Sequence, residues 1–215
     1  MLTIEAPGNT QPLGRAALAY ATRGAAVLAC HWPTPVEFPQ FCSCTNLDCP
    51  DPARHPIDAL TIADATQDLS QLARWWLAHP AANVATVTDT ERLGVIELRH
   101  FAKLEHIVRL LNAYQVERGP LINAGPGRLQ FLVQPDGATL GPGSAPPSDD
   151  ATLSTLPPGT LVLLPPSRLM GGNRLGWMRR LHHIAHLPAA TPFLAQLSDF
   201  VATGALDDPH PLLAS

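Results

Sequence analysis

Four stretches of the chain carry apolar residues at helical spacing, and short unbroken apolar runs lie between them. Residues 14–23 have helical character, and residues 25–30 read as a buried strand ending at His31 and Trp32. Asp68 is placed as an N-cap with Gln71 three positions on, and Leu69, Leu72, Trp75 and Trp76 recur at helical spacing until Pro80 stops the run. The apolar runs 83–87 and 93–98, separated by the polar turn 88–92, predict a strand pair. Phe101, Leu104, Ile107, Val108 and Leu111 then form one stripe of an amphipathic helix over 101–115. Residues 120–124 and 128–133 read as extended, and 160–164 as a further buried strand before Pro165 and Pro166. Thr191 followed by Pro192 starts a last helix, whose apolar face is Phe193, Leu194, Leu197, Phe200 and Val201, ending near Gly204. Helices mixed with short, unevenly spaced strands predict an α+β fold, with no internal repeat.

Composition narrows this picture. At 215 residues, with 46% hydrophobic and 15% charged, the chain can build one sizeable core and is unlike a disordered sequence. The expected organisation is a domain over 1–190 followed by a C-terminal helix and tail over 191–215. Many of the 23 prolines fall in 33–56 and 134–158, which therefore read as irregular connections. The net charge of −4 excludes a global positive field of the kind that drives nonspecific nucleic-acid binding. Local binding has one basic candidate, Arg168, Arg174, Arg179 and Arg180 with His182 and His183, for which a solvated surface is the alternative. The C-terminal helix either covers its own domain or meets a protein partner. Residues 1–7 carry Glu5 and no basic-then-apolar pattern, and the apolar stretch 16–30 is broken by Arg23 and Gly24. The expectation is a cytoplasmic protein with no membrane partner.

Three of the four cysteines cluster as Cys42, Cys44 and Cys49, with His55 six positions later, a C-x-C-x4-C-x5-H spacing. In a reducing compartment such a set points to a metal before disulfides. Three thiolates and an imidazole make a closed tetrahedral zinc site in the loop 41–56, which would brace the long irregular segment between Trp32 and Asp64 and leave no position for substrate. A loop with free thiols is the other reading. Cys30 stands apart at a strand end as a small apolar residue.

The order of these pieces resembles the primase-polymerase domain of bacterial mobile-element and phage replication proteins, in the archaeo-eukaryotic primase superfamily. The likeness runs over about 14–180. It rests on residues 17–20 with Gly24, on the cysteine loop running into His55 and Pro56, and on Asp64, Ala65, Thr66 and Asp68. Trp75 and Trp76, residues 80–84, and Pro165, Pro166 and Ser167 continue it. The resemblance implies an RRM-like sheet core with flanking helices. It also implies two aspartates, one residue apart, at positions that here read Glu97 and Arg99. Strand alternation puts both on one face, where two carboxylates would grip magnesium or manganese and align a triphosphate. Arginine cannot ligate a cation, so an internal Glu97–Arg99 ion pair is expected in that seat. The family's glycine-rich turn and histidine strand fall on residues 125–131, with Leu129 at the expected histidine. The third carboxylate has no counterpart in 155–160.

Three altered motifs argue against polymerase activity. The expected function is a degenerate primase-polymerase-like module that binds nucleotide, nucleic acid or protein, with Arg128, Ser167 and Arg168 offered to phosphate and Glu97 a catalytic remnant. One alternative is an active primase/polymerase whose metal ligands have moved to Glu97 with Asp89, Glu91 or Asp149. Another is a zinc-stabilised replication or transcription accessory protein.

Overall fold

In the computed structural model, residues 13–34, 41–101, 103–113, 119–137 and 152–203 are described. The elements run α1 (Leu13–Ala21), β1 (Val27–Cys30), α2 (Leu69–Ala78), β2 (Asn83–Val87), β3 (Gly94–Arg99) and α3 (Leu104–Ala113). They continue with β4 (Leu121–Asn123), β5 (Arg128–Val133), β6 (Leu153–Thr155), β7 (Leu161–Leu163), β8 (Gly176–Arg179) and α4 (Ala190–Ala202). Two antiparallel sheets result, one of order β1-β2-β7 and one of order β6-β3-β5-β4-β8. The expected α+β class is observed.

Helix α2 starts as its sequence requires, with Asp68 Oδ1 accepting from the backbone N–H groups of Ser70 and Gln71. Its Trp76 is buried and donates its indole N–H to Ala82 O at 3.0 Å, while Trp75 is half-buried against the same core. The helix lies on α1, where Gly14 lets the backbone approach the Trp76 side chain.

The strand pair expected from 83–87 and 93–98 does not form. β2 pairs with β1 and β7, whereas β3 pairs with β5 and β6 in the other sheet. Two turn interactions explain the crossing. Buried Thr88 donates its hydroxyl to Pro157 O and accepts from Thr160 N, so β2 remains tied to the β7 segment. Asp89 Oδ1 then collects the N–H groups of Glu91, Arg92 and Leu93, turning the chain toward the second sheet.

Side-chain alternation on β3 decides which core each residue joins. Ile96 and Leu98 face α3 and α4 in a cluster with Phe131, Phe193, Leu197 and Phe200. Val95 faces the first sheet, in a second cluster with α1, α2 and β2. The apolar face of α4 is thus buried on the chain's own sheet, the first of the two placements expected of it. Strands β6 and β8 were not expected. β6 is three half-buried residues, two of them polar, and β8 carries Arg179 from the basic candidate patch. No helix of the described residues is long and apolar enough to cross a membrane.

Candidate functional site

The cysteine loop is laid across the end of β1 by backbone bridges between Cys30 and Pro56 and between Pro33 and Cys42. His31 N donates to His55 O at 2.9 Å, and Ser43 Oγ accepts from Trp32 N while bonding His31 Nδ1. Thr45 and Ala53 take positive φ values of 62° and 64°, the tight bends that fold the loop back on itself. Cys42, Cys44, Cys49 and His55 then bring one donor atom each within 4.8 Å of one another. His55 Nε2 lies 3.4 Å from Cys42 Sγ and 3.3 Å from Cys49 Sγ. A tetrahedral cation with ordinary thiolate and imidazole bonds separates such atoms by about 3.6 Å, so the set fits a metal ion. Partial burial and the adjoining Cys44 and Cys42 thiols raise Cys49 to about 11, and a bound cation would offset that cost.

Glu97 is fully buried on the face of β3 that looks toward the first sheet. The ladder puts Gln130 directly opposite Glu97, and Arg128 directly opposite Arg99. Arg99 Nε donates to Oε1 of Glu97, and Oε2 accepts from Arg128 Nε at 2.6 Å and Gln130 Nε2 at 2.8 Å. Burial alone would raise the Glu97 pKa. The bond and charge of Arg128, with the bonds from Gln130 and Arg99, outweigh it and hold the group below its ordinary value. The ion pair expected from sequence is therefore one arm of a larger cage. Leu129 faces the opposite way, into the α3–α4 cluster, so the β5 residues that reach Glu97 are Arg128 and Gln130.

Arg128 is launched by the turn between β4 and β5, where Gly125 and Gly127 have φ of 122° and 62°. Those are values that a side chain disfavours. A cavity of about 170 Å³ opens beside this strand, between the two sheets. Its polar walls are Asp51 and Arg54 of the cysteine loop with Arg128 and Gln130, and its apolar wall includes Leu161, Val162 and Leu163. Burial, then the like charge of Arg128, lowers the Arg54 pKa, while Asp51 and Glu97 oppose that shift.

Ser167 and the Arg168 backbone fasten their turn to β2. The buried Ser167 hydroxyl donates to Val84 O at 2.9 Å and accepts from Val84 N at 2.8 Å, latching its turn to β2. Arg168 N donates to Asn83 Oδ1, and Asn83 Nδ2 donates to both Arg168 O and Ala53 O. Asn83, fully buried, thereby ties β2, the cysteine loop and the Ser167 turn together. Sequence reasoning passed over Asn83, Arg54 and Gln130. The last could have been found from its register opposite Glu97.

Asp89 serves its turn, and Glu91 is exposed there. Asp149 lies outside the described residues. Among the described residues, no metal-competent group of three or more His, Cys, Asp or Glu side chains includes Glu97.

The family model of the bifunctional DNA primase/polymerase N-terminal domain, Prim-Pol, matches residues 17–190. The chain belongs to the Prim-Pol family. No curated protein matches the chain. The Prim-Pol match spans the cysteine loop, the Glu97 cage and the cavity between the sheets, all within one family domain. It stops where α4 begins, although Phe193 and Phe200 of that helix pack into the core of the Prim-Pol sheet.

Proposed function

We propose that this Prim-Pol domain does not polymerise and acts as a binding module for a nucleotide or nucleic acid, with zinc as a structural staple in its cysteine loop. The observation that carries the reading is the occupancy of Glu97. Both of its oxygens are bonded to guanidinium or amide donors at zero exposure, so a catalytic cation would have to enter a buried seat already held by two guanidinium charges. Phosphoryl transfer in a two-metal site needs carboxylates that hold cations against the attacking and leaving oxygens. Arg99 and Arg128 put fixed positive charge in that place instead.

Zinc suits the loop because a set of three thiolates and one imidazole selects a borderline-soft, tetrahedral cation. Bound there, it would cross-link residues 42–55 and leave no open position for substrate. His31 and Ser43 hold the loop backbone beside His55, and Ala53 N donates to Cys42 Sγ at 3.2 Å, supporting the donor set from behind.

The decisive experiment offers purified protein a primed template, or template with nucleotides alone, in magnesium and in manganese. No incorporation is expected. Metal-dependent incorporation that disappears in a folded Glu97→Ala variant would overturn the reading in favour of displaced metal ligands.

A further inference from the structure

The three thiols of the cysteine loop are not equivalent. Cys42 is buried, its Sγ accepts from Ala53 N at 3.2 Å, and its backbone is bridged to Pro33. Cys44 and Cys49 are half-buried, and the four residues between them, Thr45 to Asp48, are all exposed. The hydrogen bonds of this tip close within the loop itself. Thr45 N donates to Cys42 O, Asp48 N to Asn46 Oδ1 and Cys49 N to Asn46 O. Two accessible thiols thus flank an exposed tip, while the third is anchored in the interior.

A bound cation holds its cysteine ligands as thiolates, the form that peroxides attack, and attack follows accessibility. The donor atoms lie within 4.8 Å of one another, so Cys44 and Cys49 have a short way to close to the roughly 2.05 Å of a disulfide. Cys42 could join such a bond only by giving up its contact with Ala53 N. Asp51 and Arg54, which wall the cavity between the sheets, stand between the ligands Cys49 and His55. A cation at the cluster therefore fastens both ends of that short piece of wall.

We propose that Cys44 and Cys49 form a peroxide-sensitive dithiol, whose oxidation to a disulfide expels the metal and frees the cavity wall 50–54. This rests on the zinc reading given above and adds a means of regulating it. Hydrogen peroxide is the oxidant. One thiolate attacks the O–O bond; an S–O bond forms, the O–O bond breaks, and hydroxide leaves behind a sulfenic acid. The second thiolate attacks that sulfur; the S–S bond forms, the S–O bond breaks, and a second hydroxide leaves. Two protons from solvent turn both hydroxides into water. The two sulfurs together lose two electrons, the peroxide gains them, and the cation keeps its charge. Left with Cys42 and His55 alone, the cation passes to solution.

The test treats metal-loaded protein with hydrogen peroxide and follows metal transfer to a chromophoric chelator, the position of the disulfide and amide hydrogen exchange. Metal release and the loss of two thiols per chain should rise in step, and dithiothreitol with added zinc should reverse both. Free thiols are alkylated in denaturant, the protein is reduced, and a second alkylating agent marks the cysteines that were oxidised. Tandem mass spectrometry should find the second label on Cys44 and Cys49 and the first on Cys30 and Cys42. Exchange over 50–54 should rise on oxidation while the β3–β5 ladder stays protected. A disulfide that includes Cys42 or joins two chains, passage of Cys44 and Cys49 straight to sulfinic acid, or oxidation with the metal retained would overturn the proposal. Metal content is measured before the oxidant is added. Protein that never holds zinc would defeat the zinc reading and the expulsion step with it, and the label positions in that protein would still decide between the Cys44–Cys49 pair and one containing Cys42.

Discussion

Arg99 stands directly opposite Arg128 across the β3–β5 ladder, two like charges on the same face of one sheet. Such a pair is unfavourable by itself and is tolerated because both side chains converge on the carboxylate between them. Glu97 is therefore expected to be a structural requirement. Glu97→Gln should destabilise the protein by about 3–5 kcal/mol, the cost of leaving buried charges unpaired, measured by urea unfolding. A change well below that range would show that solvent or rearranged side chains already screen the two arginines.

Acid should erase this contribution. Because Glu97 sits below its ordinary pKa in the folded state, the unfolded chain takes up its proton first as pH falls. The stability difference between wild type and Glu97→Gln should hold above the unfolded glutamate value of about 4.3 and shrink as pH drops through the lower folded value. Unfolding curves of both proteins from neutral pH downward test this. A difference that stays constant into strong acid would contradict the cage.

Removing the metal from metal-loaded protein should loosen the cysteine loop before the rest of the domain. Chelation is expected to lower the melting temperature and to raise amide hydrogen exchange over residues 41–56, while the β3–β5 ladder stays protected. Equal exchange in the loop with and without metal would remove its bracing role.

Ser167→Ala separates latch from ligand. The hydroxyl satisfies both backbone groups of Val84, so its loss should cost about 1–3 kcal/mol through the buried N–H left unpaired. Nucleotide affinity of the remaining folded protein should be unchanged. Weakened binding at full stability would return Ser167 to the ligand site.

Gly14→Ala tests the α1–α2 contact. A methyl group there would lie 3.0 Å from Trp76 Cβ. Overpacking of about 1–3 kcal/mol should exceed the gain of up to about 1 kcal/mol from replacing glycine in a helix, giving a net loss by thermal unfolding. A stabilised variant would mean that the helices part without strain.

Periodicity made the four helices and most strands legible, because α2, α3 and α4 each bury one stripe and β1 is an unbroken apolar run. The pairing of β2 with β7, and not with β3, was illegible. It depends on Thr88 and Asp89 side chains bonding backbone far from or just ahead of them in sequence. The cysteine cluster could be read because its ligands lie within a few residues. The cavity could not, since Arg54 and Arg128 meet across 74 positions and neither sits in a recognisable run. The Glu97–Arg99 pair was visible as strand alternation; its cross-strand members required the register.

The enclosed Arg99–Glu97–Arg128 arrangement also isolates the chain along mutational routes. Arg99→Asp alone would place a second carboxylate beside Glu97 in a dry seat with one arginine to balance both, and replacing Arg128 alone would weaken the cage without creating a cation ligand. Every single step toward a cation-binding seat passes through a less stable protein. At these positions the chain is held in a basin from which only simultaneous changes escape.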